Sequence, residues 1–186
     1  MRIVGGRMRG LGLTPVGKSD AGAQLRPTSD RVREAIFNLI LNGNYGDPVQ
    51  GAEVLDLFAG TGALGLEALS RGAARVTFVE NGRVSGRLLA ANIKKARAED
   101  ETRVIRRDAT RLGPAENPAT LVFLDPPYGR NLGEQALEKL HEGGWLSPGA
   151  LVIWEEAAAQ DAPEGFKRLD HRHYGETHIT ILKHAS

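Results

Sequence analysis

A run of four apolar residues, Leu121-Val122-Phe123-Leu124, ends abruptly on Asp125-Pro126-Pro127-Tyr128. By length and composition the run is a buried strand. Proline has no N–H for a sheet ladder and pushes the residue before it into an extended conformation, so the strand stops here in a stiff turn. Asp125 and Tyr128 are thereby held at the strand's carboxyl end, the edge where open α/β sheets bind ligands. Taken alone, the same residues also describe a plain strand terminator with Tyr128 packed beside it.

Around that turn the chain alternates strand, turn and helix. Glu53–Phe58 reads as a strand, Ala63–Arg71 as a helix ending near Gly72, and Arg75–Glu80 as a second strand. Val84–Ala98 is a helix weakened by Gly86, at a cost of about 1 kcal/mol relative to alanine. Thr102–Arg106 makes a third strand ending near Asp108, Thr120–Leu124 the fourth, Leu132–Glu142 a helix, and Ala150–Trp154 the fifth strand. Phe166–Tyr174 and Thr177–Lys183 form a closing hairpin around Gly175. This order implies an α/β fold, a mostly parallel seven-stranded sheet with helices on both faces. The 186 residues suffice for one such domain.

The absence of cysteine excludes disulfides, thiolate metal sites and thiol nucleophiles. It also excludes methylation of a pyrimidine ring carbon, which needs an enzyme cysteine bonded to the base. No run approaches the ~20 apolar residues of a membrane span, and the first residues lack a signal peptide's apolar stretch, so a cytoplasmic protein with no membrane partner is expected.

A net charge of +1 hides an uneven distribution. Residues 1–33 carry seven basic side chains against two acidic ones, while the remainder carries seventeen against twenty-one. A basic segment on a mildly acidic body suits a polyanionic partner, although a solvated arginine-rich tail would look the same. Residues 1–27, rich in Gly and Arg, read as a small hairpin or extended arm closed by Arg26-Pro27, ahead of a main domain over 28–186. Thr28 or Ser29 caps the next helix, with Asp30 in its first turn. Val32, Ala35, Ile36, Leu39 and Ile40 form its apolar face, and Asn42-Gly43-Asn44 ends it. Arg31, Arg33 and Glu34 cannot all share that face, which leaves some of them for ligand or solvent.

The first strand runs into Asp56-Leu57-Phe58-Ala59-Gly60-Thr61-Gly62-Ala63-Leu64-Gly65. Gly60, Gly62 and Gly65 fit the dinucleotide fingerprint, and Glu80 stands where a ribose-binding carboxylate belongs. A nicotinamide or flavin oxidoreductase is therefore one reading. Asp56 argues for another, because a pyrophosphate is repelled by an added carboxylate, whereas the ammonium group of an adenosyl-methionine cofactor is attracted to one. Asp108, after the third strand, can accept from an adenine amino group. With Asp56, Glu80 and Asp125 it makes four strand ends carrying carboxylates. His171, His173, His178 and His184 alternate along the closing hairpin, a spacing unlike a metal cage, and no metal is expected. Trp145 and Trp154 read as packing residues.

Asp56 to Gly62 resembles the first motif of class I methyltransferases that use S-adenosylmethionine, and Asp125-Pro126-Pro127-Tyr128 the (Asn/Asp)-Pro-Pro-(Tyr/Phe) motif of their amino-group branch. That motif serves adenine, cytosine, guanine and glutamine amino groups alike. Met1-Arg2-Ile3-Val4-Gly5-Gly6, Arg26 to Asn38, and Gly60 to Gly72 narrow it, being together similar to the RsmD family nearly end to end. The resemblance implies a Rossmann-like class I fold and methylation of the 2-amino group of a guanine in 16S ribosomal RNA. The implied substrate is a complete or partly assembled small subunit; a monomer is expected. A DNA amino-methyltransferase remains the nearest alternative. Where the family has an acidic residue shortly after the one matching Glu80, this chain has Asn81-Gly82-Arg83, which bears on a second cofactor contact.

The cofactor contacts expected are Asp56, Phe58, Gly60, Thr61, Gly62, Glu80, Asp108, Ala109 and Asp125. For catalysis, the Asp125 carboxylate and the Pro126 carbonyl accept the two amino hydrogens and aim the lone pair, while Tyr128 stacks on the extruded base. Arg2, Arg7, Arg9, Arg26 and Arg31 are expected to hold RNA phosphates.

Overall fold

The computed structural model describes residues 1–17 and 28–185. Among them, seven strands form one sheet: β1 (Glu53–Leu57), β2 (Arg75–Val79), β3 (Thr102–Ile105), β4 (Ala119–Leu124), β5 (Leu146–Glu156), β6 (Phe166–Tyr174) and β7 (Thr177–His184). Their order is β3-β2-β1-β4-β5-β7-β6, with β1 to β5 parallel and β7 antiparallel to both β5 and β6. Four helices accompany them: α1 (Asp30–Asn42), α2 (Ala63–Ser70), α3 (Arg83–Lys95) and α4 (Leu132–Glu142).

The central strands are apolar on both faces because both are covered. Val54, Val76, Leu121, Phe123, Ile153 and Ile181 pack in one layer with Ile36, Phe37 and Ile40 of α1, Leu66 and Leu69 of α2, and Leu89 and Ile93 of α3. Leu55, Leu57, Val122, Leu124, Val152 and Trp154 pack in the other with Ala136, Leu137 and Leu140 of α4. The α/β architecture expected from the alternation is the one present.

Departures from the sequence reading have local causes. β1 stops at Leu57 because Phe58 takes a left-handed φ of 55° and leaves the ladder. α3 stops at Lys95, and Arg97 turns the chain at φ 52°. β5 begins at Leu146, before the Pro148-Gly149 pair, because a register shift lets Leu146 pair with Ala119 ahead of the regular ladder from Leu151. α1 is capped by Ser29, whose Oγ accepts from Val32 N–H at 3.1 Å, while Thr28 donates to Glu155 at 3.0 Å. Its buried face is Arg33, Ile36, Phe37 and Ile40, so the expected Val32, Ala35 and Leu39 flank the contact rather than centre it.

The amino-terminal segment is a hairpin joined to the core. Ile3 N–H donates to Leu11 O at 3.0 Å and Leu13 N–H to Met1 O at 2.9 Å, and Ile3 and Leu13 are both buried. It lies along α2, which explains why all eight residues of that helix are buried. Glu67 and Ser70 are the anchors. Glu67 accepts from Val4 N–H at 2.8 Å, Gly5 N–H at 2.9 Å, Arg33 Nε at 3.0 Å and Arg71 Nε at 2.9 Å. Ser70 Oγ accepts from Met8 N–H at 2.8 Å and donates to Gly5 O at 2.7 Å. Arg33, counted among the basic side chains of the segment, is wholly buried in this network and is not available to a polyanion.

Candidate active site

The glycine loop, Glu80, Asp108 and the Asp125–Tyr128 turn stand at the carboxyl edge of β1, β2 and β4 and in the loop after β3. At the end of β1, Gly60 and Gly62 adopt φ of 57° and 83°, and Gly62 leads directly into α2. Gly65 permits close contact of α2 with the sheet, since a Cβ there would lie 2.5 Å from Phe78 Cε1. Phe58, half-buried at positive φ, is a bulky residue in a conformation that is seldom adopted and that concentrates at functional sites.

Glu80 follows β2 and shapes this loop from the side. Its Oε1 accepts from Gly60 N–H at 2.8 Å and its Oε2 from Gly82 N–H at 2.8 Å. Each oxygen keeps a second lone pair, and the fixed carboxylate can accept from a pair of vicinal hydroxyls. Asp108 caps the short turn Ala109–Arg111, with Oδ1 accepting from Thr110 N–H at 2.9 Å and Thr110 Oγ1 at 2.7 Å. Those bonds, the hydroxyl first, hold its carboxyl below the usual carboxylate range. Ala109 is buried behind it.

Asp56 departs from the expectation that its carboxylate meets a ligand. It is 1% exposed, lies beneath the loop, and accepts from Gly65 N–H at 3.0 Å through Oδ2. Burial pushes its carboxyl well above the ordinary range; the Gly65 bond opposes this, and Glu80 and Glu155 add to it. The reason is geometric: β1 alternates sides, and residue 56 points inward under α2 rather than out past the strand end. Asp56 braces the glycine loop from below.

Beyond β4, Asp125 and Tyr128 are half-buried, Pro126 is buried and Pro127 exposed. The turn is tied to β5 by Gly129 N–H, which donates to Glu156 Oε1 at 3.3 Å. Glu80, Asp108 and Asp125 therefore rim one crevice with oxygen acceptors. Such a set of acceptors fits a ligand presenting hydroxyl and amino groups and disfavours a diphosphate. A separate hollow of about 650 Å³, lined by Glu53, Arg75, Arg103 and Glu116 among others, lies at the opposite, amino edge and holds none of these residues.

Asn92 belongs to the site and escaped the sequence reading. Wholly buried on α3, it donates from Nδ2 to Thr61 O at 2.9 Å and Thr14 O at 3.2 Å, and accepts from Thr14 N–H at 2.6 Å. It fastens the chain after the hairpin to the glycine loop. Its signal was an amide at a core-facing position beside Leu88, Leu89 and Ile93. Thr61 is buried, with Oγ1 3.7 Å from Met1 Sδ, so the hairpin's ends meet the loop.

The basic residues divide between the two edges. Arg31 is exposed at the start of α1, whose neighbour Thr28 touches Glu155 at the carboxyl edge. Arg2 is exposed beside it, its N–H shared between the two oxygens of Asp30. Arg7 and Arg9 sit in the hairpin turn at the far end of α2, and Arg7 pairs with Glu101, which precedes β3 at the amino edge. These two therefore do not flank the crevice, because the hairpin runs the length of α2. Arg26 lies outside the described residues.

The family model described as Conserved hypothetical protein 95 matches residues 1–183. The chain is 40% identical over 164 residues to the ribosomal RNA small subunit methyltransferase D of Escherichia coli (strain K12), covering 88% of this chain and 78% of that protein. It superposes on the solved structure of the Escherichia coli protein yhhF with a TM-score of 0.81 at 35% identity, over 100% of this chain and 98% of the other. An RNA methyltransferase from Salinibacter ruber, solved with S-adenosyl-L-homocysteine, shares the fold at a TM-score of 0.65 and 21% identity, over 87% of this chain and 95% of that one.

Proposed function

The chain belongs to the Conserved hypothetical protein 95 family, the RsmD methyltransferases, and from that membership we propose that it transfers a methyl group from S-adenosylmethionine to the 2-amino group of a guanine in small-subunit ribosomal RNA. The observation that carries this reading is the position of Asp125-Pro126-Pro127-Tyr128 at the end of β4, on the same crevice as Glu80 and Asp108.

Glu80 accepts from the ribose hydroxyls of the cofactor and Asp108 from its adenine amino group, with Phe58, Gly60, Thr61, Gly62 and Ala109 shaping the cavity around them. Asp56 acts through the loop it braces. When bound, S-adenosylmethionine supplies an electrophilic methyl on a sulfonium centre. A guanine amino group is a weak nucleophile, because its lone pair is delocalised into the ring. Asp125 and the Pro126 carbonyl accept its two hydrogens and direct the lone pair, and Tyr128 stacks on the displaced base. Such positioning lowers a barrier by several kcal/mol, on the order of the known intramolecular advantage. The substrate is RNA folded in the small subunit or its assembly intermediate, and the enzyme acts as a cytoplasmic monomer. Among the described residues no helix is long and apolar enough to cross a membrane.

Incubation with labelled S-adenosylmethionine and unmodified small subunits, followed by nucleoside mass spectrometry, tests the reading. Label in N2-methylguanosine is the expected result. Label in an adenine or cytosine amino group, or in duplex DNA in preference to RNA, overturns the choice of substrate.

A further inference from the structure

Three imidazoles stand apart from the residues just described. His173 on β6 pairs directly with His178 on β7, their rings 5.0 Å apart and 24° from parallel. The His171 ring lies 5.1 Å from that of His178 at 11°, with Nε2 2.8 Å from His178 Nδ1. The His171 and His178 rings therefore lie edge to edge in nearly one plane, and with His173 they make a flat cluster of imidazoles near the hairpin tip. Two of its nitrogens face each other in a hydrogen bond rather than around an ion, and among the described residues no group of three His, Cys, Asp or Glu is placed to hold a metal.

The cluster lies at the same edge of the sheet as the Asp125–Tyr128 turn. β7 is antiparallel, so its first residues stand at the carboxyl ends of the parallel strands, and His178 pairs with Glu156. Glu156 in turn holds Gly129, directly after Tyr128. Strand spacing and rise place His178 roughly 10–12 Å from Asp125, the reach of a neighbouring nucleotide. His173 is exposed, and the exposed Arg168, paired with Leu182, shares its face of the sheet, whereas Arg172, paired with Ile179, belongs to the other. The nearby carboxylates are engaged: Glu156 Oε1 also accepts from Ala157 N–H at 3.2 Å, and Asp170 Oδ2 from Arg172 Nε at 3.1 Å.

We propose that this cluster is a stacking platform for an unpaired base of the RNA substrate, close to the nucleotide that is methylated. The proposal rests on the RNA reading above. Flat rings set side by side at the surface, with a guanidinium group on the same face, are the means by which proteins hold single-stranded nucleic acid without selecting its sequence.

The test compares His173→Ala and His173→Phe with the unaltered protein. Binding of a short, labelled single-stranded RNA oligonucleotide is measured directly, alongside KM and kcat on small-subunit RNA. His173→Ala is expected to weaken oligonucleotide binding and raise KM by about 5- to 100-fold, with kcat at saturation and S-adenosylhomocysteine affinity unchanged; Phe, which keeps a ring face, restores binding. Wild-type binding and KM in the Ala variant, or a Phe variant no better than Ala, overturns the platform while leaving the methyltransferase reading intact. An unaltered protein that binds S-adenosylhomocysteine but neither binds nor methylates RNA overturns that reading, and the platform with it.

Discussion

Arg33 Nε lies 3.0 Å from Glu67 Oε1, and both side chains are fully buried. This pair joins α1 to α2 beneath the amino-terminal hairpin, and the guanidinium also donates to the Arg2 and Thr28 carbonyls and to Asp30. Removing Glu67 takes the acceptor from Arg33 Nε, Arg71 Nε and the Val4 and Gly5 N–H groups at once, so Glu67→Ala is expected to cost about 3–5 kcal/mol in urea unfolding. Arg33→Met/Glu67→Leu together are expected to cost less than Glu67→Ala alone. A single variant within about 1 kcal/mol of the unaltered protein contradicts this network's role.

Asp56 gives stability a particular pH dependence. Its folded carboxyl is raised by burial, so it binds its proton more tightly folded than unfolded. Its contribution is therefore complete below the ordinary aspartate pKa and lost as pH rises through the folded value. Relative to the unaltered protein, Asp56→Asn is expected to gain stability steadily from about pH 4 upward, whatever its constant offset. Urea midpoints measured from acid to neutral pH check this, and parallel curves refute it.

Asn92 links the glycine loop to the chain after the hairpin. Asn92→Leu removes three hydrogen bonds and leaves the Thr14 and Thr61 main-chain groups without them, at an expected cost of about 2–3 kcal/mol. Because Thr61 is in the loop, S-adenosylhomocysteine affinity measured by calorimetry is also expected to fall, by roughly tenfold for each 1.4 kcal/mol of lost loop order. Unchanged affinity in a folded variant separates Asn92 from the site.

The division of arginines between the two edges makes a further prediction. Arg31→Ala is expected to weaken RNA binding and reduce its log-log salt slope by about 0.7–0.9, the value for one phosphate contact. Arg7→Ala, at the far edge and paired with Glu101, is expected to leave both unchanged. The reverse pattern in salt titrations would place the RNA across the hairpin turn instead.

What the sequence disclosed was periodic or punctuated. The β4 run and its Pro-Pro stop, the glycine loop, and Leu132–Glu142 were visible because local chemistry decides them. Glu67 was hidden, since nothing local says that a charged residue in the middle of a helix will be covered by a hairpin sixty residues earlier. An entirely apolar α2 apart from Glu67 and Ser70 was the available hint that its outer face needed cover. Asp56 was misdirected for a similar reason. Its place at a strand end was legible, but which side of the sheet it faces depends on how closely Gly65 lets α2 approach. The positions of Arg7 and Arg9 depend on the hairpin's direction along α2, which charge counting cannot reveal.

On the proposed function, Asp125 is the residue on which methyl transfer turns, and one paired measurement on Asp125→Ala tests this most directly. Turnover of labelled S-adenosylmethionine on small-subunit RNA is measured beside S-adenosylhomocysteine affinity. Turnover is expected to fall by on the order of a thousandfold or more, as loss of positioning demands, while Kd changes by less than about tenfold. Turnover that persists at the unaltered rate contradicts the assignment of Asp125 to the amino group.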